Sequence, residues 1–209
     1  MADMGAEVIK IEPPSGEPGR RLAPFIQDKP SLDSSLPFFY LNSNKKGITI
    51  NLKTENGISI LKDFIKKTDV IIENFSPGTL NNLGIGYDTI HSINPSAVVV
   101  SISNFGQTGP YKDYKATEII EYALGGLMGI FGAYDKPPIK HALNQAQIKA
   151  GTNAANAALM AVYWSKLNGK GQHIDVSIHE CIAYGLRDTT SNYTYTGAVR
   201  RRQPNHSGD

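Results

Sequence analysis

The stretch Asp69-Val70-Ile71-Ile72-Glu73-Asn74-Phe75-Ser76-Pro77-Gly78 holds the groups whose types and spacing best suit chemistry. Strand-like residues run into a polar turn, and a proline and a glycine then open a new element. In an open α/β sheet the carboxyl end of a strand is where ligand-contacting groups emerge. Ser76 suits a helix cap and Pro77 the first helical position, where a missing N–H costs nothing. Free backbone N–H groups at such a helix start favour phosphate or another anion. An ordinary strand-to-helix turn carries the same pattern, so the stretch alone does not assign a ligand.

Other reactive side chains offer less. The five histidines (91, 141, 173, 179 and 206) show no metal-ligand spacing, and a surface or capping role is the expectation for His141. Cys181 is the one cysteine, so no intrachain disulfide forms and a reducing, cytoplasmic setting is expected. Its apolar helical surroundings suit a small buried hydrophobe rather than a nucleophile. A net charge of +2 gives no electrostatic case for nucleic acid. Arg200-Arg201-Arg202 is the one basic cluster, expected in a solvated or structural role. No apolar run approaches membrane-span length, and no basic flank precedes an apolar stretch at the N-terminus.

The elements that position these groups follow from hydrophobic spacing. With 40% hydrophobic and 19% charged residues over 209 positions, the chain can bury a real core. Val8–Ile11 reads as a strand ended by Pro13-Pro14, and Ser15–Asp33 as a loop. Ile48–Leu52 alternates as a half-buried strand does. Ile58, Ile60, Leu61, Phe64 and Ile65 recur at helical spacing, ending near Lys66-Lys67. Val70–Ile72 and Val98–Ile102 read as strands covered on both faces, with a helix over Ile85–Ile93 between them. Strands alternating with helices predict an α/β fold with an open, mainly parallel sheet. Thr117–Met128 reads as a helix interrupted near Gly125-Gly126, and Gln145–Leu167 as a long alanine-rich helix. That helix's small residues allow close approach of either another chain or an intrachain helix. His173–Val176 reads as a strand, and Ser177–Tyr195 as mostly helical.

Five motifs lie in register along the chain. They are Gly5-Ala6-Glu7-Val8-Ile9-Lys10-Ile11-Glu12-Pro13-Pro14, Asn42-Ser43-Asn44-Lys45-Lys46-Gly47-Ile48, the Asp69–Gly78 stretch, Ser103-Asn104-Phe105-Gly106-Gln107-Thr108-Gly109-Pro110-Tyr111, and Gly169-Lys170-Gly171-Gln172-His173-Ile174-Asp175-Val176-Ser177. In this order and separation they resemble the class III coenzyme A transferases of the CaiB/BaiF type. Formyl-CoA transferase, carnitine CoA-transferase and α-methylacyl-CoA racemase belong to that family. The likeness runs from about Gly5 to about Arg187. It implies a Rossmann-like CoA-binding half, interlocked dimers, and acyl-CoA with a carboxylic acid as substrates rather than any covalently bound cofactor or metal.

The resemblance also assigns roles. The family's nucleophilic aspartate lies four residues before a glycine of the long helix; here that glycine is Gly151 and the position holds Gln147. A carboxamide cannot form the usual acyl anhydride. Pro137-Pro138 fits the family's paired prolines without a gap to Gly151, so no shift of alignment restores an aspartate. Glu118 stands where the family has an acid near the site, and in a closed site it can serve as nucleophile or base. The racemase branch's acid–base pair corresponds to Thr117 and Gln147, so racemisation loses both groups. Asn74, Phe75 and Thr79 are implied at the nucleotide end of coenzyme A, with Ile50 against the adenine and Lys115 near the pantetheine or phosphate. Asn82 replaces a family basic residue.

Residues 1–187 are expected to form part of the family's large domain, and 188–209 to begin a connection to further chain. The family pattern extends beyond both ends, so a piece of a longer protein is the expectation. Two functions follow from the resemblance: a transferase moving coenzyme A between carboxylic acids, or a non-catalytic CoA-binding subunit paired with an active homologue.

Overall fold

The strands of this chain pair with one another in parallel, as their alternation with helices implies. The computed structural model describes residues 1–202 and divides the chain into a unit from Met1 to Lys67 and a second that begins at Thr68.

In the first unit β1 (Val8–Glu12) lies beside a later strand, and α1 (Leu36–Asn42) falls between them. Ser35 caps α1 by accepting the Phe38 N–H. The Ser15–Asp33 stretch is irregular apart from two short 3-10 turns, as its glycine, proline and charge content predicts. It folds back on a buried ion pair. The Arg20 guanidinium grips Glu12 with two bonds of 2.7 and 2.9 Å and lies 4.0 Å from the centroid of the Phe38 ring. This fork holds the Glu12 carboxyl below its usual range.

The second strand, β2 (Lys45–Thr49), starts three residues before the Ile48–Leu52 strand that alternation predicts. Pairing decides its limits: Ile48 sits opposite Ile11, and Asn51 then turns the chain, its side chain accepting the Lys53 N–H and its carbonyl the Thr54 N–H. Thr54 caps α2 (Glu55–Ile65) through the Gly57 N–H.

In the second unit β3 (Val70–Glu73) is followed by α3 (Thr79–Asn82), α4 (Tyr87–Ile93) and β4 (Val98–Ser103). The sequence pattern starts a helix at Pro77 under a Ser76 cap; the structure starts it at Thr79. Gly78 occupies the cap with φ of 81°, a left-handed backbone that glycine adopts without strain, and no side chain caps the helix. Four residues long, α3 offers no sustained N-terminal anion site.

After β4 come α5 (Glu118–Leu124), α6 (Gln145–Asn168), β5 (His173–Ser177), α7 (Ile178–Ala183) and α8 (Arg187–Thr196). The three strands order β3-β4-β5, so β4 is central. Val98, Val99 and Val100 are fully buried there, whereas Ile72 on edge strand β3 is half exposed. Coverage on both faces, expected for both runs, holds for β4 alone. Helix α6 packs on β4, β5, α5 and α7 and buries Ala146, Ala150, Ala154, Ala158 and Ala161 along one stripe. Those small side chains let the helix lie close to its neighbours within the chain. Ser165 ends the stripe by donating to the Ser96 carbonyl at 2.6 Å.

The turn into β5 is equally tight. A Cβ on Gly171 would sit 1.8 Å from the Ala97 carbonyl oxygen, at the strand-side turn before β4. Backbone cannot yield as a flexible side chain does. Gly171→Ala is therefore expected to cost about 1–3 kcal/mol, read as a lower urea midpoint with unchanged slope.

Candidate functional site

Helix α5 reverses the usual amphipathic rule. Glu118, Glu121 and Tyr122 are buried, while Ile119, Ile120 and Leu124 are exposed. The three buried residues fall at spacings of three and four, one face of a helix. A buried carboxyl needs hydrogen-bond donors, and the surrounding elements supply some of them.

Glu118 Oε1 accepts the Ala146 N–H at 2.8 Å, in the first turn of α6. The α6 cap residue, Asn144, makes no side-chain cap bond. Glu118 thus replaces a local cap with one from another helix, and its negative charge lies at the positive end of the helix dipole. With the Asn104 amide, just past β4, turned to exchange its oxygen and nitrogen, the nitrogen donates to Glu121 Oε1 at 3.0 Å and the oxygen accepts from the Ala116 N–H at 2.9 Å. The Oε2 atoms of Glu118 and Glu121 are both buried without a hydrogen-bond partner.

Burial first, and then the charge of Glu118, raises the Glu121 carboxyl from 4.5 to about 7. The same two causes raise the neighbouring Tyr122 phenol. Tyr122 Oη lies 3.1 Å from His141 Nδ1, and the His141 ring meets Phe131 edge-on at 4.1 Å. His141 is half-buried in this contact rather than a surface or capping group. Lys149 on α6 reaches over the Tyr122 ring, 6.0 Å from its centroid.

The other predicted site residues are distributed as follows. Gln147 follows Ala146 in α6 and is exposed, so the carboxamide is one residue from the N–H that holds Glu118. Thr117 precedes α5 as its cap. Lys115 is exposed ahead of that helix. Asn74 and Phe75 are exposed in the turn after β3, Thr79 begins α3 half-buried, and Asn82 ends α3. The Phe75 N–H is already taken by the Glu73 carboxylate at 2.8 Å. Ile50 belongs to the first unit, where it is buried and its N–H donates to the Glu12 carbonyl at 3.0 Å.

Two remaining groups take structural places. Cys181 is half-buried on α7. Arg202 donates to the Ala133 and Lys136 carbonyls. Among the described residues no cluster of three or more His, Cys, Asp or Glu suits a metal, and no helix is long and apolar enough to cross a membrane. The sequence places Glu118 and Glu121 together on this helix, but only Glu118 was assigned to the site, although the i,i+3 spacing sets both acids on one face.

The family model described as CoA-transferase family III matches residues 1–209. Succinyl-CoA–D-citramalate CoA-transferase of Chloroflexus aurantiacus is 37% identical over 206 residues, which are 98% of this chain and 50% of that protein. Succinyl-CoA:(R)-benzylsuccinate CoA-transferase subunit BbsE of Thauera aromatica is 31% identical over 99% of this chain and 50% of its own length. The crystal structure of a CaiB/BaiF family protein from Brucella suis superposes with a TM-score of 0.89 at 32% identity, covering 96% of this chain and 53% of that one. The chain spans about half the length of these relatives.

The Glu121 environment makes stability depend on pH. Between 4.5 and about 7 the folded chain keeps a proton that the unfolded chain has released. Stability therefore falls as pH rises through that window and levels off above it. Glu121→Gln is expected to remove this fall, measured as unfolding midpoint against pH for both proteins.

Proposed function

The chain belongs to CoA-transferase family III, and on that premise we propose that it moves coenzyme A between carboxylic acids with Glu118 as the acting carboxylate. The observation that carries the reading is the Glu118 side chain. It is buried, held by one oxygen on the Ala146 N–H, one residue before Gln147 in the chain, and its other oxygen is unpartnered.

A carboxylate can split the exchange into easier steps. Glu118 Oε2 attacks the thioester carbonyl, the C–S bond breaks, and the thiolate departs, leaving a mixed anhydride. The thiolate then attacks the glutamyl carbonyl, expelling the donor acid as its carboxylate and forming a glutamyl–CoA thioester. The acceptor carboxylate attacks that thioester and releases the thiolate again. The thiolate's attack on the acceptor carbonyl of the new anhydride yields product and restores Glu118. Gln147, neutral and unable to form an anhydride, takes no covalent part in this scheme.

For binding we assign Asn74, Phe75 and Thr79 to the nucleotide end of coenzyme A and Lys115 to the pantetheine or phosphate. The turn after β3 exposes Asn74 and Phe75, which supports that assignment. Acyl-CoA and a carboxylic acid are then the partners, in a cytoplasmic homodimer or heterodimer. The carboxamide at Gln147 favours a second reading, a CoA-binding subunit that serves an active homologue; a relative named as a subunit is consistent with it.

Incubating the full chain with a panel of acyl-CoAs, quenching with hydroxylamine and mapping peptides by mass spectrometry separates the two. A hydroxamate on Glu118 is expected, and Glu118→Gln should lower transfer by about 10²-fold or more. No adduct, together with saturable CoA binding in calorimetry, would overturn the transferase reading in favour of the subunit. Introducing the family's acid with Gln147→Asp should raise transfer by adding a second carboxylate nucleophile, measured in the same donor assay.

A further inference from the structure

We infer that Glu121 is a positioning residue for Glu118, sharing one proton with it so that the buried face of α5 carries one negative charge rather than two. The inference rests on reading Glu118 as the acting carboxylate.

The geometry argues it first. Glu118 has given one oxygen to the Ala146 N–H, and Glu121 one to the Asn104 amide. Each keeps an Oε2 that is buried and unpartnered, on side chains only 8% and 1% exposed. An ionised carboxylate can only accept, so two of them leave two bare anionic oxygens out of water. One proton turns one of these oxygens into a donor and halves the charge.

Which acid keeps the proton follows from the neighbours. Glu118 has the N–H of a 24-residue helix start to stabilise its anion. Glu121 has only a neutral amide, and the raised titration of Glu121 agrees. The other ionisable groups around the pair are few. Tyr122 lies beside it on α5, bonded to His141 from the stretch before α6, with Lys149 of α6 over its ring. His179 of α7 approaches through its backbone, donating to the Asn104 carbonyl at 3.0 Å. Among the described residues no hydrogen bond brings a cation to either Oε2.

The consequence for chemistry is direct. With the proton on Glu121, Glu118 is a single anion, free to attack or to accept a proton. With the proton gone, two like charges share one face and repel an incoming carboxylate.

The test is an isotope-edited infrared titration of the full chain, following the protonated-carboxyl C=O band from about pH 5 to 9. The wild-type band should persist into the neutral range, and Glu121→Gln should abolish it. Glu118→Gln should move its midpoint down by about one pH unit, since the neighbouring charge is removed while burial remains. In the transfer assay, the alkaline fall of the pH–rate profile should disappear in Glu121→Gln, whatever that variant's rate. A band lost by about pH 5, or one unmoved by Glu118→Gln, would overturn the shared proton. If the band behaves as stated while Glu118→Gln retains full transfer, the proton pair stands and the role given to Glu118 falls. Should Glu121→Gln fail to fold, the Glu118→Gln midpoint alone decides.

Discussion

A carboxylate taken out of water must find a donor, and Glu118 finds one in the first turn of α6. That single contact fixes much of the second unit. It caps a long helix that lacks a local cap, joins α5 to α6, and turns the α5 face inward. With Glu118 inside, its helical neighbours at three and four residues, Glu121 and Tyr122, must be inside as well. The isoleucines between them are left outside.

The scaffold around this contact is built from small residues and a stiff strand. Val98–Val100 give β4 a valine core, and the alanine stripe brings α6 onto the sheet without large side chains to separate them. At the far end of α6, glycine is required where the chain passes the Ala97 carbonyl. The first unit solves its own polar problem differently. There a guanidinium fork covers Glu12, and an aromatic ring lies against the fork. One acid is held by a cation, the other by a helix end.

Much of this was legible in residue spacing. The Val98–Ile102 run, the alanine-rich helix and its glycine end, and the break at Gly125-Gly126 all follow local rules that tertiary contacts did not override. The parallel arrangement followed from strands alternating with helices. Other limits depended on partners far along the chain. Register against β1 moved β2 toward Lys45, and the left-handed Gly78 displaced the helix expected at Pro77. Whether a strand is covered depends on its place in the sheet, which the apolar run Val70–Ile72 does not encode. At the candidate site, Glu118 and Gln147 were marked by family resemblance. Glu121 was legible on the same helix but not as a site residue, because a glutamate between isoleucine and tyrosine reads as the solvent side; only the contact at α6 reverses that face. The His141–Tyr122 bond spans 19 residues and leaves no periodic trace.

Strands β4 and β5 are immediate neighbours, yet everything from Asn104 to Gln172 lies between them in the chain. Asn104, Glu118, Glu121, Tyr122, His141 and the start of α6 all belong to that one crossover. Its ends meet only when β5 docks, and closing so long a loop must precede the reward of the strand pairing. During synthesis the acids of α5 are therefore made well before the strand that closes their segment. The sheet edge that β5 occupies stays open until that strand is made and docks.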